Sequence, residues 1–524
     1  MESKIQKVIN FLLKYGLIII SIIVGIIGIL SIFITAYFNC TFYHPAEKTY
    51  FKYSIGILQI LISFLVFLLI ALLNKKLFNK IPSLAILLPI LLVCMLVFIV
   101  WINAMKLNPE TDQKMIHDMA IAILNDNISD FTSTAQYLFL YPFQFGLTLF
   151  ISIIYKLFGT NYLYIEYINA ICSIINMLII YYISKIIFKN ENVQKALVIL
   201  LGGFSLYWMF FNVHFYGNII GLTLALTALL FTLLYLEKDK FYYLIFTGIF
   251  IALSIIIKTN YNIFLCGIIL ILLLDIIKKW KLKTLTIIPI FVISYFIINF
   301  SYNIIFQKLT NLDTSTCGVP MISYIYMGMS EPTDLSAGWY NSSTVDLFRE
   351  NNYNVKETSN SSKKLIGNRL IYFSQNPKTF MQYYSEKIGS TWLNPTFQTI
   401  WCSLPGVRYR YYEEYANYIS YHEKALSMVG GNLAKVEENY FDIYQILIFI
   451  FAALGIFKVS KNFDLKQSII PIIFIGGFVF HILWETKAIY VIQYYFILLP
   501  YAALGINYTI EKLENFYNKK RMNN

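Results

Sequence analysis

Three short stretches place residues fit for chemistry at the ends of apolar runs. In "KLNPETDQKMIHDMAIAILND", residues 106–126, a helix starting near Thr111 puts Asp112, Ile116, Met119 and Ile123 on one face. Asp112 thereby turns with the apolar side chains, an environment that raises the basicity of a carboxylate and suits it to act as a general base. The plainer role for Asp112, and for Glu110 beside it, is a helix N-terminal charge that complements the dipole. His117 and Asp118 point elsewhere, and His117 reads as a solvated or interfacial histidine.

The second stretch is "LSIIIKTNYNIFLCG", 253–267, where Lys258 sits between two apolar runs with Thr259, Asn260 and Asn262 for polar company. Two readings stand: a lysine that snorkels to headgroups, or a cation for a phosphate held at the membrane surface. The third is "FHILWETKAIYVIQYYFILLPYAALG", 480–505, which carries His481, Glu485, Lys487 and Tyr490. A Glu and a Lys two apart do not meet along a helix, so each faces something else. An interfacial anchor with an aromatic belt is the plainer alternative there.

The elements that position these residues follow from composition. The chain has 524 residues, is 58% hydrophobic and 13% charged, and has a mean hydropathy of +0.61. Those values describe a multi-pass membrane protein. A span needs about 20 apolar residues, and runs of that kind fall at 16–38, 54–73, 82–101, 164–187, 195–213, 216–236, 241–257, 260–277, 284–306, 441–458, 467–484 and 488–510. The fold class expected is therefore an all-α polytopic membrane protein of about twelve transmembrane helices, because lipid forces backbone polar groups to pair within each segment. The first run has no cleavage site behind it, so nothing is expected to be removed.

Orientation follows from lysine placement. "NKKLFNK" at 74–80, "KIIFKNENVQK" at 185–195, "EKDK" at 237–240, "KKWKLK" at 278–283, "KVSKNFDLK" at 458–466 and the two termini are all expected in the cytoplasm. A crossing by the apolar stretch 137–159 would invert this pattern, so it is expected to lie at the outer interface or to dip in, with Pro142 breaking its start. Five divisions result: N-terminal helices 1–101, a first extracytoplasmic loop 102–163 with juxtamembrane helices, central helices 164–306, an extracytoplasmic loop domain 307–440, and C-terminal helices with a cytoplasmic tail 441–524. Within the loop domain, 354–364 looks flexible and 367–392 looks helical around Pro377. The three chemical stretches then share one outer face, beside this loop.

Other function classes recede. The net charge of +12 is accounted for by lysines between spans, so no nucleic-acid partner is expected. Neither a G-x-x-x-x-G-K-S/T nor a G-x-G-x-x-G loop is present, which leaves cytoplasmic nucleotide chemistry without a site. The six cysteines are scattered without metal-ligand spacing. Cys317 and Cys402 alone share a long polar segment, and whether they pair is left open. A flippase or other transporter would carry charges or broken helices deep in mid-span. A glycan polymerase or ligase would use an arginine-rich loop, whereas 307–440 holds only Arg349, Arg369, Arg408 and Arg410.

The layout resembles the GT-C membrane glycosyltransferases, especially the branch of protein O-mannosyltransferases and bacterial lipid-linked-sugar transferases such as the aminoarabinose transferase. "TDQ" with Asp112, then "YPFQFG" and "KLFG", are similar to that family's acidic first loop and juxtamembrane helix. "IIIKTN" is similar to its mid-chain lysine, "ETKAIY" to its late Glu-x-x-x-Arg-Tyr motif, and "MGMSEPTDLSAGWYNSSTVD", 327–346, to a loop stretch of its Gram-positive branch. The chain departs from the pattern at Gln113, which follows a single Asp; at Pro142, which stands without a second proline; and at Ile489, which leaves Lys487 as the substitute cation. The resemblance implies transfer of a sugar, with inversion, from a polyprenyl-phosphate donor to a cell-surface glycan, lipid or protein acceptor outside the membrane. It implies Asp112 as catalytic base, and Glu110, Lys258, Glu485, Lys487 and Tyr490 as substrate-binding residues. No cofactor is called for, and a need for a divalent metal is left open.

Overall fold

A computed structural model describes residues 4–41, 44–53, 56–73, 80–279, 287–331, 335–403, 423–430, 433–462 and 464–523. Most of "NKKLFNK", part of "KKWKLK", and Arg408 and Arg410 lie outside the described residues. The protein is an all-α polytopic membrane protein, and its helices form where the apolar runs are, since a buried or lipid-facing backbone pairs its N–H and C=O groups only within the helix.

Nine helices among the described residues are long and apolar enough to cross a membrane. They include α1 (Lys4–Phe33), α3 (Ser83–Met105), α7 (Leu163–Phe188), α8 (Glu191–Phe211) and α9 (Asn218–Lys238); α2 (Gly56–Leu72) lies between α1 and α3, and the juxtamembrane pieces α4 (Thr111–Leu124), α5 (Tyr137–Leu140) and α6 (Phe145–Phe158) lie between α3 and α7. After α10 (Tyr242–Ile257) come α11 (Asn262–Lys279) and α12 (Ile287–Thr310), and the last long spans lie within Ala434–Lys461 and Leu465–Leu483.

The other expected spans are shorter or divided: α2 has 17 residues and α10 has 16, and α10 still runs from the end with Asp239 to the end with Lys258. The run 488–510 is divided into a turn at Ala488–Tyr490, a helix Ile492–Ile497 and a helix Leu499–Asn523. Pro500, which has no N–H to donate, falls in the first turn of the last piece, where a helix tolerates it. A second difference is an antiparallel ribbon, β1 (Ile34–Thr41) with β2 (His44–Tyr53), where a helix was expected to continue to residue 38. Its aromatic and β-branched residues, "ITAYFNCT" and "KTYFKY", favour extended pairing once the apolar run has ended.

Helix α6 is 14 residues long and is not among the nine spans. Pro142 occupies the first position of the short turn that starts it. The loop after α12 is mainly helical: α13 (Met321–Met327), α14 (Ser343–Glu350), α15 (Val355–Gln375) and α16 (Pro377–Trp392). The stretch 354–364 is not a flexible linker. Asn354 caps α15 by accepting from the backbone N–H groups of Lys356 and Glu357 at 3.0 and 3.1 Å.

The lysine-rich turns meet at one end of the bundle. Glu237 pairs with Lys189 at 2.5 Å and with Lys466, while Lys279 reaches Asp239 at 3.5 Å. At the opposite end lie the 106–162 segment, the turns at 212–217 and 258–261, the helical loop, and the turn at 484–490. Asp112, Lys258, Glu485 and Lys487 all fall at that end.

Candidate active site

Five of the six residues marked by the sequence wall one cavity of about 220 Å³: Asp112, Lys258, Glu485, Lys487 and Tyr490. Glu110 is not among its lining residues. It stands at the N-cap of α4 with an extended backbone, φ −135° and ψ 162°. The chain enters the helix through Thr111 at φ +47°, a conformation that β-branched residues rarely adopt.

Asp112 does not sit on the buried face of α4. That face is Gln113, Ile116, Met119, Ala120 and Ala122, whereas Asp112 is exposed to the cavity. The reason is Gln113, a polar residue that turns inward because its amide is satisfied there. Its Nε2 meets Nδ1 of His214 at 2.8 Å, and its Oε1 accepts from the Tyr162 hydroxyl at 2.8 Å. Asp112 is held by the Tyr216 hydroxyl, which donates to its Oδ2 at 3.0 Å, and Gln144 Nε2 reaches the same hydroxyl at 2.6 Å. His117 is half-buried rather than solvated, with Nδ1 2.5 Å from the Tyr155 hydroxyl. Burial lowers its pKa from the ordinary histidine value.

Lys258 ends α10 in an extended conformation. Its ammonium donates to the Tyr216 carbonyl at 3.1 Å and stands 4.1 Å from the centre of the Tyr216 ring and 5.7 Å from that of Tyr490. Tyr216 therefore touches the carboxylate with its hydroxyl and the lysine with its backbone and ring. Burial brings the Lys258 pKa down to about 7, opposed by the carboxylates of Glu485 and Asp112.

Glu485 and Lys487 lie in the non-helical turn after Leu483, not on a helix, and both reach the cavity. The Lys487 ammonium is 5.7 Å from the centre of the Trp339 ring. Burial pushes the Glu485 carboxyl up to about 7, against the pull of Lys487, Lys258 and Lys387. Its Oε1 is buried with no hydrogen-bond partner among the described residues.

Much of the remaining wall is aromatic and was not singled out by sequence reasoning: Tyr137, Tyr141, Tyr324, Tyr340 and Trp484. Tyr141 and Tyr340 hydroxyls are 3.2 Å apart, and Tyr324 lies parallel to Trp484 with ring centres at 6.4 Å. The stretches "YPFQFG" and "MGM…GWYN" contain two of these tyrosines, Tyr141 and Tyr340, and were a signal for them; Tyr216 and Tyr324 carried none. Cys317 and Cys402 are free buried thiols. Among the described residues no three His, Cys, Asp or Glu side chains gather as a metal ion would require.

The charged, aromatic cavity thus lies at one end of an apolar helical bundle. The model of the dolichyl-phosphate-mannose-protein mannosyltransferase family, a GT-C fold family, matches residues 142–305, about a third of the chain. The match supports a membrane glycosyltransferase of the GT-C type. It spans Tyr216 and Lys258, and leaves Asp112, Glu485 and Lys487 outside it. Neither the curated proteins nor the solved structures compared with the chain give a match.

Proposed function

We propose that the protein transfers a sugar from a polyprenyl-phosphate donor to an acceptor at the cell surface, with inversion at the anomeric carbon. The observation that carries this reading is the facing of Asp112 and the Lys258 and Lys487 ammoniums across one cavity at the end of the bundle. In this reading a carboxylate of Asp112 takes the proton of the acceptor hydroxyl as its oxygen attacks the anomeric carbon. The bond from that carbon to the phosphate oxygen breaks, and the lipid phosphate leaves with the bonding electrons. Lys258 and Lys487 stabilise the growing phosphate charge. Glu485 and Tyr490 meet the hydroxyls of the sugar.

A donor anchored by a lipid explains why the cavity lies at the end of apolar helices. Positive-inside placement puts the lysine-rich end in the cytoplasm with both termini, and the cavity on the extracytoplasmic side. The direct test is transfer of isotopically labelled sugar from a polyprenyl-phosphate sugar to envelope material by membranes that contain the chain. Label that stays on the donor, equally with and without the chain, refutes the reading.

A further inference from the structure

Two separate parts of the chain form the cavity wall opposite Asp112. One is the turn with Trp484, Glu485 and Lys487, and the other is the loop with Tyr324 and Tyr340. Their backbones are joined directly: Glu485 N–H donates to the Tyr324 carbonyl at 3.2 Å, and Thr486 N–H to the Gly338 carbonyl at 2.8 Å. Behind this seam lies a lysine on α16, only 1% exposed. The Lys387 ammonium donates to the carbonyl of Trp484 at 2.7 Å and also to the carbonyl of Gly328, so one side chain holds both parts.

The surroundings are cut to that side chain. A Cβ at Gly338, which has φ +76°, would lie 2.5 Å from Cε of Lys387. A Cβ at Gly328 would lie 2.5 Å from the Trp484 backbone. The Tyr383 hydroxyl donates to the same Gly328 carbonyl at 3.0 Å, and Trp339 Nε1 reaches Ser390 Oγ one turn further along α16 at 3.3 Å. A buried lysine is an expensive choice for mere packing. Lys387 does not line the cavity, so it does not touch a substrate there.

We propose that Lys387 is a positioning residue: it locks the 484–487 turn to the 324–340 loop and so sets where Glu485 and Lys487 meet the donor. The proposal rests on the glycosyltransferase reading for its consequence, but not for its geometry. Two measurements on the purified full chain separate them. In hydrogen exchange, Lys387→Met speeds the amides of Glu485 and Thr486 by at least about tenfold while the long helices keep their protection. Lys387→Arg, which restores a long donor, stays closer to the parent.

Should Lys387→Met not fold, Lys387→Gln carries the test, because its shorter amide keeps a polar end but does not reach both carbonyls. The same two amides must quicken. Unchanged exchange in the folded variant overturns the proposal. In transfer from a polyprenyl-phosphate hexose, Lys387→Met raises the donor KM by at least about tenfold and lowers kcat by less. A loss in kcat alone, with KM unchanged, also overturns it. A parent chain that transfers no sugar refutes the glycosyltransferase reading instead, and the exchange result still decides the role of Lys387.

Discussion

Asp112→Asn separates a catalytic role from a structural one more sharply than any other single change. The substitution keeps the shape of the side chain and an oxygen that accepts from the Tyr216 hydroxyl, now at 3.0 Å. Asp112 is exposed to the cavity and lies outside the packed face of α4. Its replacement should therefore shift stability by no more than about 0.5 kcal/mol. The charge lost is one of two carboxylates beside the buried Lys258, which keeps Glu485 and the Tyr216 carbonyl. What disappears is the capacity to take a proton. Loss of a general base costs on the order of 10²- to 10⁴-fold in rate, equivalent to about 3–5 kcal/mol of barrier. The expected result is a variant that melts like the parent, binds a polyprenyl-phosphate sugar with near-parent affinity, and transfers it at least about a hundredfold more slowly. Glu110→Gln, whose parent side chain is outside the cavity lining, should keep most of its activity. Full activity in Asp112→Asn would refute the assignment and leave Glu485 as the next candidate base.

Three further outcomes are expected. Lys258→Ala and Lys487→Ala should each weaken donor binding by about tenfold or more while the chain remains folded, and unchanged affinity in both would return them to headgroup anchors. Donor affinity should fall as pH rises from about 6 to about 8, because Lys258, brought down to about 7, loses its charge in that window while Glu485, pushed up to about 7, gains one, and both changes repel a phosphate; titration by donor-binding measurements would expose an error if affinity rose instead. Finally, Asp130→Cys and Asn161→Cys, both at exposed positions, should be labelled from outside intact cells by a membrane-impermeant thiol reagent. Labelling of position 161 only after permeabilisation would mean that α6 crosses.

The sequence by itself determined that this is an all-α membrane protein, because runs of about 20 apolar residues leave the backbone no other way to pair in lipid. Asp112, Lys258, Glu485 and Lys487 were legible as candidates for a related reason: in a chain with 13% charged residues, charges at the ends of apolar runs are conspicuous, and Tyr490 was marked with them through the stretch "ETKAIY". Tyrosine is different. The chain has 42, it suits both membrane interfaces and packed cores, and nothing local set Tyr216 or Tyr324 apart. Nor did helical periodicity show which side of α4 is buried. That depended on His214 and Tyr162, about 100 and 50 residues away along the chain, satisfying Gln113 and so rotating Asp112 out to the cavity. Lys387, which nothing in the sequence sets apart from the other charges of its polar loop, became a buried link only when the carbonyls of Gly328 and Trp484 were brought to it. Hydrophobic patterning acts along one segment and is written there. The partners that make a buried polar group tolerable come from distant segments, and only the tertiary structure brings them together.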